Sequence, residues 1–84
     1  MNSLFLLEIL LPDLGKRLFV SVDPRTKMES VIKQICKVID PIGEKSFTDY
    51  SLIDVDEMLV TRFEASVLEA GLINGSRLLC IKKK

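Results

Sequence analysis

Few residues of this chain have the chemistry that catalysis or metal binding requires. The 84 residues include no histidine and two cysteines, Cys36 and Cys80. The commonest general base is therefore missing, and neither cysteine belongs to a CxxC pair of the kind that holds zinc. The sequence also has no glycine-rich phosphate loop of the GxxxxGK[ST] type. It predicts a protein without catalytic, metal or cofactor sites.

The densest group of carboxylates is the segment at residues 54–57, which contains Asp54, Asp56 and Glu57. A calcium-binding loop needs a central glycine and a distal glutamate at fixed spacing, and this segment has neither. We therefore interpret it as a tight, solvated acidic turn between two strands.

The two cysteines are too few and too far apart in sequence for a disulfide scaffold. Free cysteine is among the most buried residue types. The sequence therefore predicts that Cys36 and Cys80 are reduced core thiols of a cytosolic protein. A single disulfide between them is the alternative.

The composition predicts one small domain spanning residues 1–84, because a hydrophobic fraction of 48% is ample for a core. Twelve basic residues balance twelve acidic ones, so no overall field favours nucleic acid. The apolar run at residues 4–11 is interrupted by Glu8 and has no basic residue before it. It is less than half of the roughly 20 residues that span a bilayer, so we expect a strand and no membrane insertion.

Two strands with a short connection should begin the fold. Residues 4–11 and 17–22 are strand-like, and the breaker at residues 12–15 predicts a β-hairpin. Placing Glu8 in solvent points Phe5, Leu7, Ile9 and Leu11 inward, and Leu4, Leu6 and Leu10 outward.

An amphipathic helix should follow Asp23 and Pro24. Thr26 and Glu29 have the spacing of a capping box. Apolar residues then repeat at helical spacing, namely Met28, Val31, Ile32, Ile35, Val38 and Ile39. The breakers at residues 40–43 end the helix.

The second half of the chain predicts a loop at 43–49 and strands at 50–53, 58–60 and 77–82. In the last strand, Leu78 and Cys80 share one face, and Leu79 and Ile81 share the other. The order ββαβ(β)β indicates an α+β fold with one helix on one face of a mixed sheet. Its first and last strands should lie parallel and central.

The segment before the last strand predicts a short helical turn, a break at Gly71 and a turn at Asn74 and Gly75. Gly71 and Gly75 would supply the positive φ angles that such turns require.

The pattern resembles ubiquitin over nearly the whole chain. The residues that carry the resemblance between strand and helix are Val22, Asp23, Pro24, Met28, Val31 and Ile35. Leu52, Ile53 and Leu59 resemble the strands that follow, and residues 67–78 resemble the closing turn and last strand. The resemblance implies a ubiquitin-like β-grasp fold.

Within that superfamily the closing motif is most similar to the small bacterial YukD/EsaB family of type VII (WXG100) secretion systems. The motif consists of Val67, Gly71, Leu72, Asn74, Gly75, Ser76 and Leu78. The resemblance implies a non-catalytic cytoplasmic adaptor or regulator that binds a component of the secretion machinery. That component would belong to the membrane complex, placing the protein at the inner face of the membrane through a protein partner.

Conjugated modifiers and sulfur carriers of the superfamily end in a diglycine, whereas this chain ends in Lys82, Lys83 and Lys84 without a glycine after Gly75. The expectation is that the protein is not conjugated. Two alternatives remain: a modifier or sulfur carrier with a C-terminal extension, and a ubiquitin-like or Ras-binding-type domain of a larger protein. The three lysines are interpreted as a solvated, fraying end, with contact to anionic lipid as the alternative.

The candidate binding surface is the sheet face away from the helix. The resemblance places Ile53, Leu79 and Ile81 where ubiquitin has its apolar recognition patch, and Leu6 and Leu10 should border it. An apolar patch on a small domain marks a contact surface. Two copies could also cover it in a homodimer. The grouping depends on register, because a slip of one residue inverts the faces.

Overall fold

The computed structural model describes residues 3–83, so the predicted domain limits and Lys84 lie outside the described residues. The elements are β1 (Phe5–Leu11), β2 (Lys16–Val22), α1 (Met28–Ile39), β3 (Tyr50–Asp54), β4 (Leu59–Val60) and β5 (Arg77–Lys82). Short 3-10 helices at Pro12–Leu14 and Phe47–Asp49 interrupt two of the connections. The predicted element order and the α+β class are confirmed. No helix within these residues is long and apolar enough to cross a membrane.

The five strands form one mixed sheet in the order β2-β1-β5-β3-β4. Strands β1 and β5 pair in parallel, with Ile9 opposite Leu78, and the other neighbouring strands are antiparallel. The first and last strands are therefore parallel and central, as predicted. Helix α1 covers one face of this sheet.

The alternation predicted for the hairpin is confirmed, since Leu7, Ile9 and Leu11 are buried while Leu6 is exposed. The connection needs glycine at one position. Gly15 has a φ of 61°, and its N–H donates to the carbonyl of Pro12. This left-handed conformation costs little for a residue without a Cβ.

The core forms between the inner sheet face and one stripe of α1. Its helical members are Met28, Val31, Ile32 and Ile35, which are all fully buried. The prediction that Val38 also faces the core is wrong, because Val38 is exposed. At 100° per residue Val38 lies about 70° from the middle of the stripe, and it comes in the last turn of the helix.

The capping box predicted from Thr26 and Glu29 is also wrong. The residue before the helix is Lys27, and no side chain caps the helix. Instead, the N–H of Met28 donates to the carbonyl of Ala65 at 2.8 Å, and the N–H of Glu29 donates to that of Phe63 at 3.0 Å. A distant backbone segment satisfies the first amides, so the Thr26 hydroxyl is not needed there.

A capping box does form at the start of the closing motif. The N–H of Ser66 donates to Glu69 Oε1 at 2.9 Å, and the N–H of Glu69 donates to Ser66 Oγ at 3.0 Å. The turn closes where the Leu72 N–H reaches the carbonyl of Val67 around Gly71, whose φ is 80°. This is the Schellman arrangement, in which the left-handed residue is usually glycine. The predicted helical turn and its break at Gly71 are confirmed.

The acidic segment differs from its prediction. Asp54 belongs to β3, points to the inner face opposite Leu78 and is buried rather than solvated. Its carboxylate accepts the N–H of Asp56 at 3.1 Å and so closes the turn locally. Met58 has a φ of 54° and ends this turn, so β4 begins at Leu59 and not at the predicted residue 58.

Candidate functional site

The outer face, which is the sheet face turned away from α1, contains the five residues predicted for the binding surface. Alternation along the strands places Leu6, Glu8 and Leu10 of β1 on it. Pairing places other strand residues opposite or beside them, namely Arg17, Phe19, Ser21, Ser51, Ile53, Val60, Arg77, Leu79 and Ile81. The predicted residues Leu6, Leu10, Ile53, Leu79 and Ile81 are all members of this set.

Four apolar residues of the outer face form a row across four strands. Leu10 lies opposite Leu79, Leu79 opposite Ile53, and Ile53 opposite Val60. Since neighbouring strands lie about 4.8 Å apart, the row is about 14 Å long. Ile81 lies two residues further along β5, on the same face as Leu79. The row is the longest continuous apolar feature that the register creates on this face.

Exposure on the outer face is greatest at its margins. Leu10, Ile53, Leu79 and Ile81 are half-buried by their neighbours, whereas Leu6 is 46%, Phe19 58% and Val60 62% exposed. Phe19 and Val60 were missed by the sequence reasoning. Alternation with Leu18 and Val20 already indicated that Phe19 points outward. Val60 could be placed only once the pairing of β3 with β4 was known.

An ion-pair network lies beside this row. Glu8 Oε2 is 3.3 Å from Arg17 Nη1, and Glu8 Oε1 is 3.3 Å from Arg77 Nε. The Glu8 side chain is 16% exposed, while those of Arg17 and Arg77 are 67% and 63% exposed. Glu8 points outward as predicted, but it is held between two guanidinium groups. The Arg17 guanidinium also lies 5.8 Å from the Phe19 ring centroid.

The turn before β5 is tied to the outer face through Leu6. The Leu6 N–H donates to Asn74 Oδ1 at 2.7 Å, and the Gly75 N–H donates to the Leu6 carbonyl at 2.7 Å. Gly75 has the predicted positive φ, 91°. Asn74 is therefore more than a turn residue, because its side chain continues the β1–β5 ladder where β5 has not yet begun.

The C-terminal lysines are less free than predicted. Lys82 is part of β5, and the Lys83 N–H donates to the carbonyl of Asp49 at 2.6 Å. The Lys83 Nζ lies 5.2 Å from the Phe63 ring centroid. The prediction of a fraying end is therefore wrong for these two lysines.

Within residues 3–83, one cleft borders the outer face at Val60 and another lies away from that face. One, of about 360 Å³, opens between β4 and the segment at residues 61–70, with Leu59, Val60 and Arg62 among its walls. The other, of about 160 Å³, lies where Leu11, Ile39 and Tyr50 meet, with Cys80 also lining it.

The thiols are unsuited to nucleophilic chemistry at neutral pH. Both are free, with Cys80 buried and Cys36 half-buried against the core. Burial raises the pKa of Cys80 to about 11. Burial also raises the pKa of Cys36, aided by the nearby carboxylates of Asp40 and Asp49. Because the thiolate is the reactive form, both residues act here as small apolar groups.

No protein-family model matches the sequence, and no curated protein matches it either. Solved structures do match. The chain is similar to the ubiquitin of Caldiarchaeum subterraneum with a TM-score of 0.77 and 13% identity, over 98% of this chain and 96% of that chain.

Two further solved structures extend this similarity. A ubiquitin-like domain of an Arabidopsis thaliana protein matches with a TM-score of 0.75 and 14% identity, over 98% of this chain and 80% of that chain. AtBAG1, solved in complex with HSP70, matches with a TM-score of 0.74 and 13% identity, over 94% of this chain and 40% of that chain. At such identities the likeness concerns the fold. The chain has the ubiquitin-like β-grasp fold, as its sequence pattern implied.

Proposed function

We propose that this protein is a non-catalytic ubiquitin-like binding module whose outer face docks a protein partner. The observation that carries the proposal is the apolar row from Leu10 through Leu79 and Ile53 to Val60, which no other layer of the described residues covers. Contiguous apolar surface on a small domain usually marks a contact site. A protein complex solved with a similar fold, AtBAG1 with HSP70, is consistent with this class of role.

We further propose that the partner is a component of a bacterial type VII secretion machinery, in the cytosolic part of its membrane complex. This assignment rests on the likeness of residues 67–78 to the YukD/EsaB family. It places the protein in the cytoplasm, at the inner face of the membrane through its partner. Gene context tests it directly, because neighbouring genes for WXG100 substrates and a membrane ATPase are expected.

The decisive experiment measures binding of the full chain to the cytosolic domains of that membrane complex by calorimetry. Leu79→Ala and Ile53→Ala should each weaken binding at least about tenfold, because they remove apolar contacts at the middle of the row. Val38→Ala is the matched control, since it truncates an exposed apolar side chain on the opposite layer and should leave affinity unchanged.

Each rival role gives a distinct result. Wild-type protein that binds none of these domains, with normal secretion after gene deletion, would remove the secretion assignment and favour an interaction domain of a larger protein. ATP-dependent adenylation of a longer gene product would indicate a modifier or sulfur carrier. Concentration-dependent sedimentation that Leu79→Ala abolishes would indicate a homodimer through the outer face.

A further inference from the structure

We propose that the outer face selects a partner segment combining apolar side chains with a carboxylate, and that this carboxylate is bound between Arg17 and Arg77. The inference rests on the proposed function, because it names the chemistry of the partner that docks there. The occupant is a segment of another protein, recognised by an acidic residue beside its apolar anchors.

The charged side chains of the outer face do not balance. Its strand positions carry one carboxylate, Glu8, and two guanidinium groups, Arg17 and Arg77. Each arginine meets a different oxygen of Glu8 at 3.3 Å. Glu8 is thereby engaged on both oxygens, and the face retains one positive charge in excess.

The arginines keep N–H donors that the contacts with Glu8 do not use. A guanidinium has five N–H donors, and the contact of each arginine with Glu8 involves one nitrogen atom. Most of each side chain is open to solvent, as their exposures of 67% and 63% record. A carboxylate arriving from outside could therefore accept from both arginines without displacing Glu8.

When a partner docks, the excess positive charge of the outer face determines which partners bind. An apolar partner that covered the row would remove water from a guanidinium without supplying a hydrogen-bond acceptor or a negative charge, and this desolvation is unfavourable. A partner carboxylate would complete an alternating network of two positive and two negative groups. A basic partner would instead meet like charge, so the same feature discriminates against it.

The spacing on the face sets the spacing expected in the partner. Glu8 lies opposite both Phe19 and Arg77, and the apolar row begins two residues further along β1 at Leu10. Two residues of a strand span about 7 Å. The partner's acidic residue should thus lie about 7 Å from its apolar anchor, as residues i and i+2 of a strand or i and i+4 of a helix do.

A second copy of the chain is a poorer occupant, because its outer face has the same positive excess and would bring like charges together. A lipid surface could bind the arginines through its phosphate groups but would make fewer apolar contacts with the row. Both occupants are outcomes of the test below.

The test uses a random peptide library displayed on phage and selected against the full protein. Wild-type protein should enrich peptides that place Asp or Glu near Leu, Ile or Phe. The triple variant Glu8→Arg/Arg17→Glu/Arg77→Glu keeps the ion pairs but inverts the excess charge, and it should enrich Lys and Arg instead. Leu79→Ala should abolish recovery of acidic peptides on the wild type and of basic peptides on the triple variant.

A synthetic peptide from the wild-type selection should lose at least about tenfold in affinity when its acidic residue is changed to the amide. The milder double variant Arg17→Gln/Arg77→Gln should reduce affinity for the acidic peptide to the level of the amide peptide. This double variant retains an uncharged hydrogen-bonding group at each position, and it tests the same inference if the triple variant fails to fold.

Three outcomes of the selection would overturn the inference. The wild type could enrich neutral or basic peptides, the charge-inverted variant could enrich the same acidic peptides as the wild type, or no peptide could bind the outer face. Binding to vesicles of phosphatidylserine that Arg17→Gln/Arg77→Gln weakens, without acidic peptides being selected, would overturn it in favour of a lipid surface. Self-association weakened by Leu79→Ala would do so in favour of a second copy. If Leu79→Ala weakens binding of the secretion component but peptide acidity does not matter, this inference alone fails.

Discussion

At the scale of single residues, Glu8 determines the electrostatics of the outer face. The sequence predicts that Glu8 points into solvent, and in the structure it lies in contact with Arg17 and Arg77. Without its charge the two arginines would face each other across β1 with no negative group between them. Glu8 thus stabilises the arrangement of both arginines as well as the sheet.

Replacing Glu8 by glutamine should lower the free energy of unfolding by about 0.5–1 kcal/mol, because two partly exposed ion pairs are lost. Urea unfolding at low salt measures the change. Glu29→Gln is the control, since Glu29 forms one exposed pair with Lys33 and should change stability by less than about 0.5 kcal/mol. An effect of Glu8→Gln no larger than that of the control would contradict the network.

Cys80 makes a pH-dependent contribution to stability. Burial raises its pKa from the ordinary 9.0 to about 11. Between these values the unfolded chain has lost the thiol proton while the folded chain retains it. The contribution is therefore fully present below about pH 9 and decreases as the pH rises towards 11, by at most about 1.4 kcal/mol per pH unit.

Urea unfolding of the wild type and of Cys80→Ala at about pH 8 and about pH 10 tests this sign. The variant should lose less stability over the interval than the wild type does. Cys36→Ala, which removes the half-buried thiol, should retain most of the wild-type slope. Parallel slopes for the wild type and Cys80→Ala would contradict the assigned burial.

At the scale of elements, helix α1 and the turn at residues 66–70 are capped at their starts in different ways. Helix α1 begins with amides bound to the carbonyls of Phe63 and Ala65, whereas the turn at residues 66–70 begins with the side chains of Ser66 and Glu69. Both sites have the same sequence signature, a hydroxyl residue followed three positions later by glutamate. Tertiary contacts decided which of the two formed a capping box.

Ser66→Ala should therefore destabilise the fold by about 1 kcal/mol, the usual effect of losing an N-cap hydroxyl. Thr26→Ala should change the free energy of unfolding much less, because its hydroxyl does not cap α1. Thermal or urea unfolding of the two variants side by side makes the comparison. Equal losses, or a larger loss for Thr26→Ala, would restore the capping box first expected from the sequence.

The elements themselves were largely predictable, because the periods of 2 and 3.6 in apolar residues are local properties. They placed Leu78 and Cys80 inward and Leu79 and Ile81 outward, as observed. The exact register between distant strands was not predictable from these local periods. The row that ends at Val60 and the network around Glu8 exist only because β1 meets β2 and β5, and β3 meets β4, in one particular register.

At the scale of the whole molecule, a chain of 84 residues should have a free energy of unfolding of roughly 4–13 kcal/mol. The stability lost on truncating a single core side chain is then a large fraction of this free energy. Two adjacent residues of β5 allow a loss of stability to be distinguished from a loss of binding, since Leu78 is fully buried and Leu79 lies on the outer face.

Leu78→Ala should lower the free energy of unfolding by about 2–5 kcal/mol, because it leaves a cavity beneath α1. Leu79→Ala should lower it by clearly less, while having the larger effect on partner binding. Urea unfolding and binding calorimetry of both variants test the assignment of faces. The opposite ranking in stability would indicate that β5 has slipped by one residue.

The parallel pairing of β1 with β5 also has a mechanical consequence. Residues 5 and 82 lie at opposite ends of two adjacent strands, whose contacts continue from Leu6 with Asn74 to Leu10 with Leu79. A pull on these two positions loads the bonds of this ladder together in shear, instead of opening them one after another. The folded protein would therefore resist extension best along this direction, and its lifetime under load would be set by its rate of unfolding.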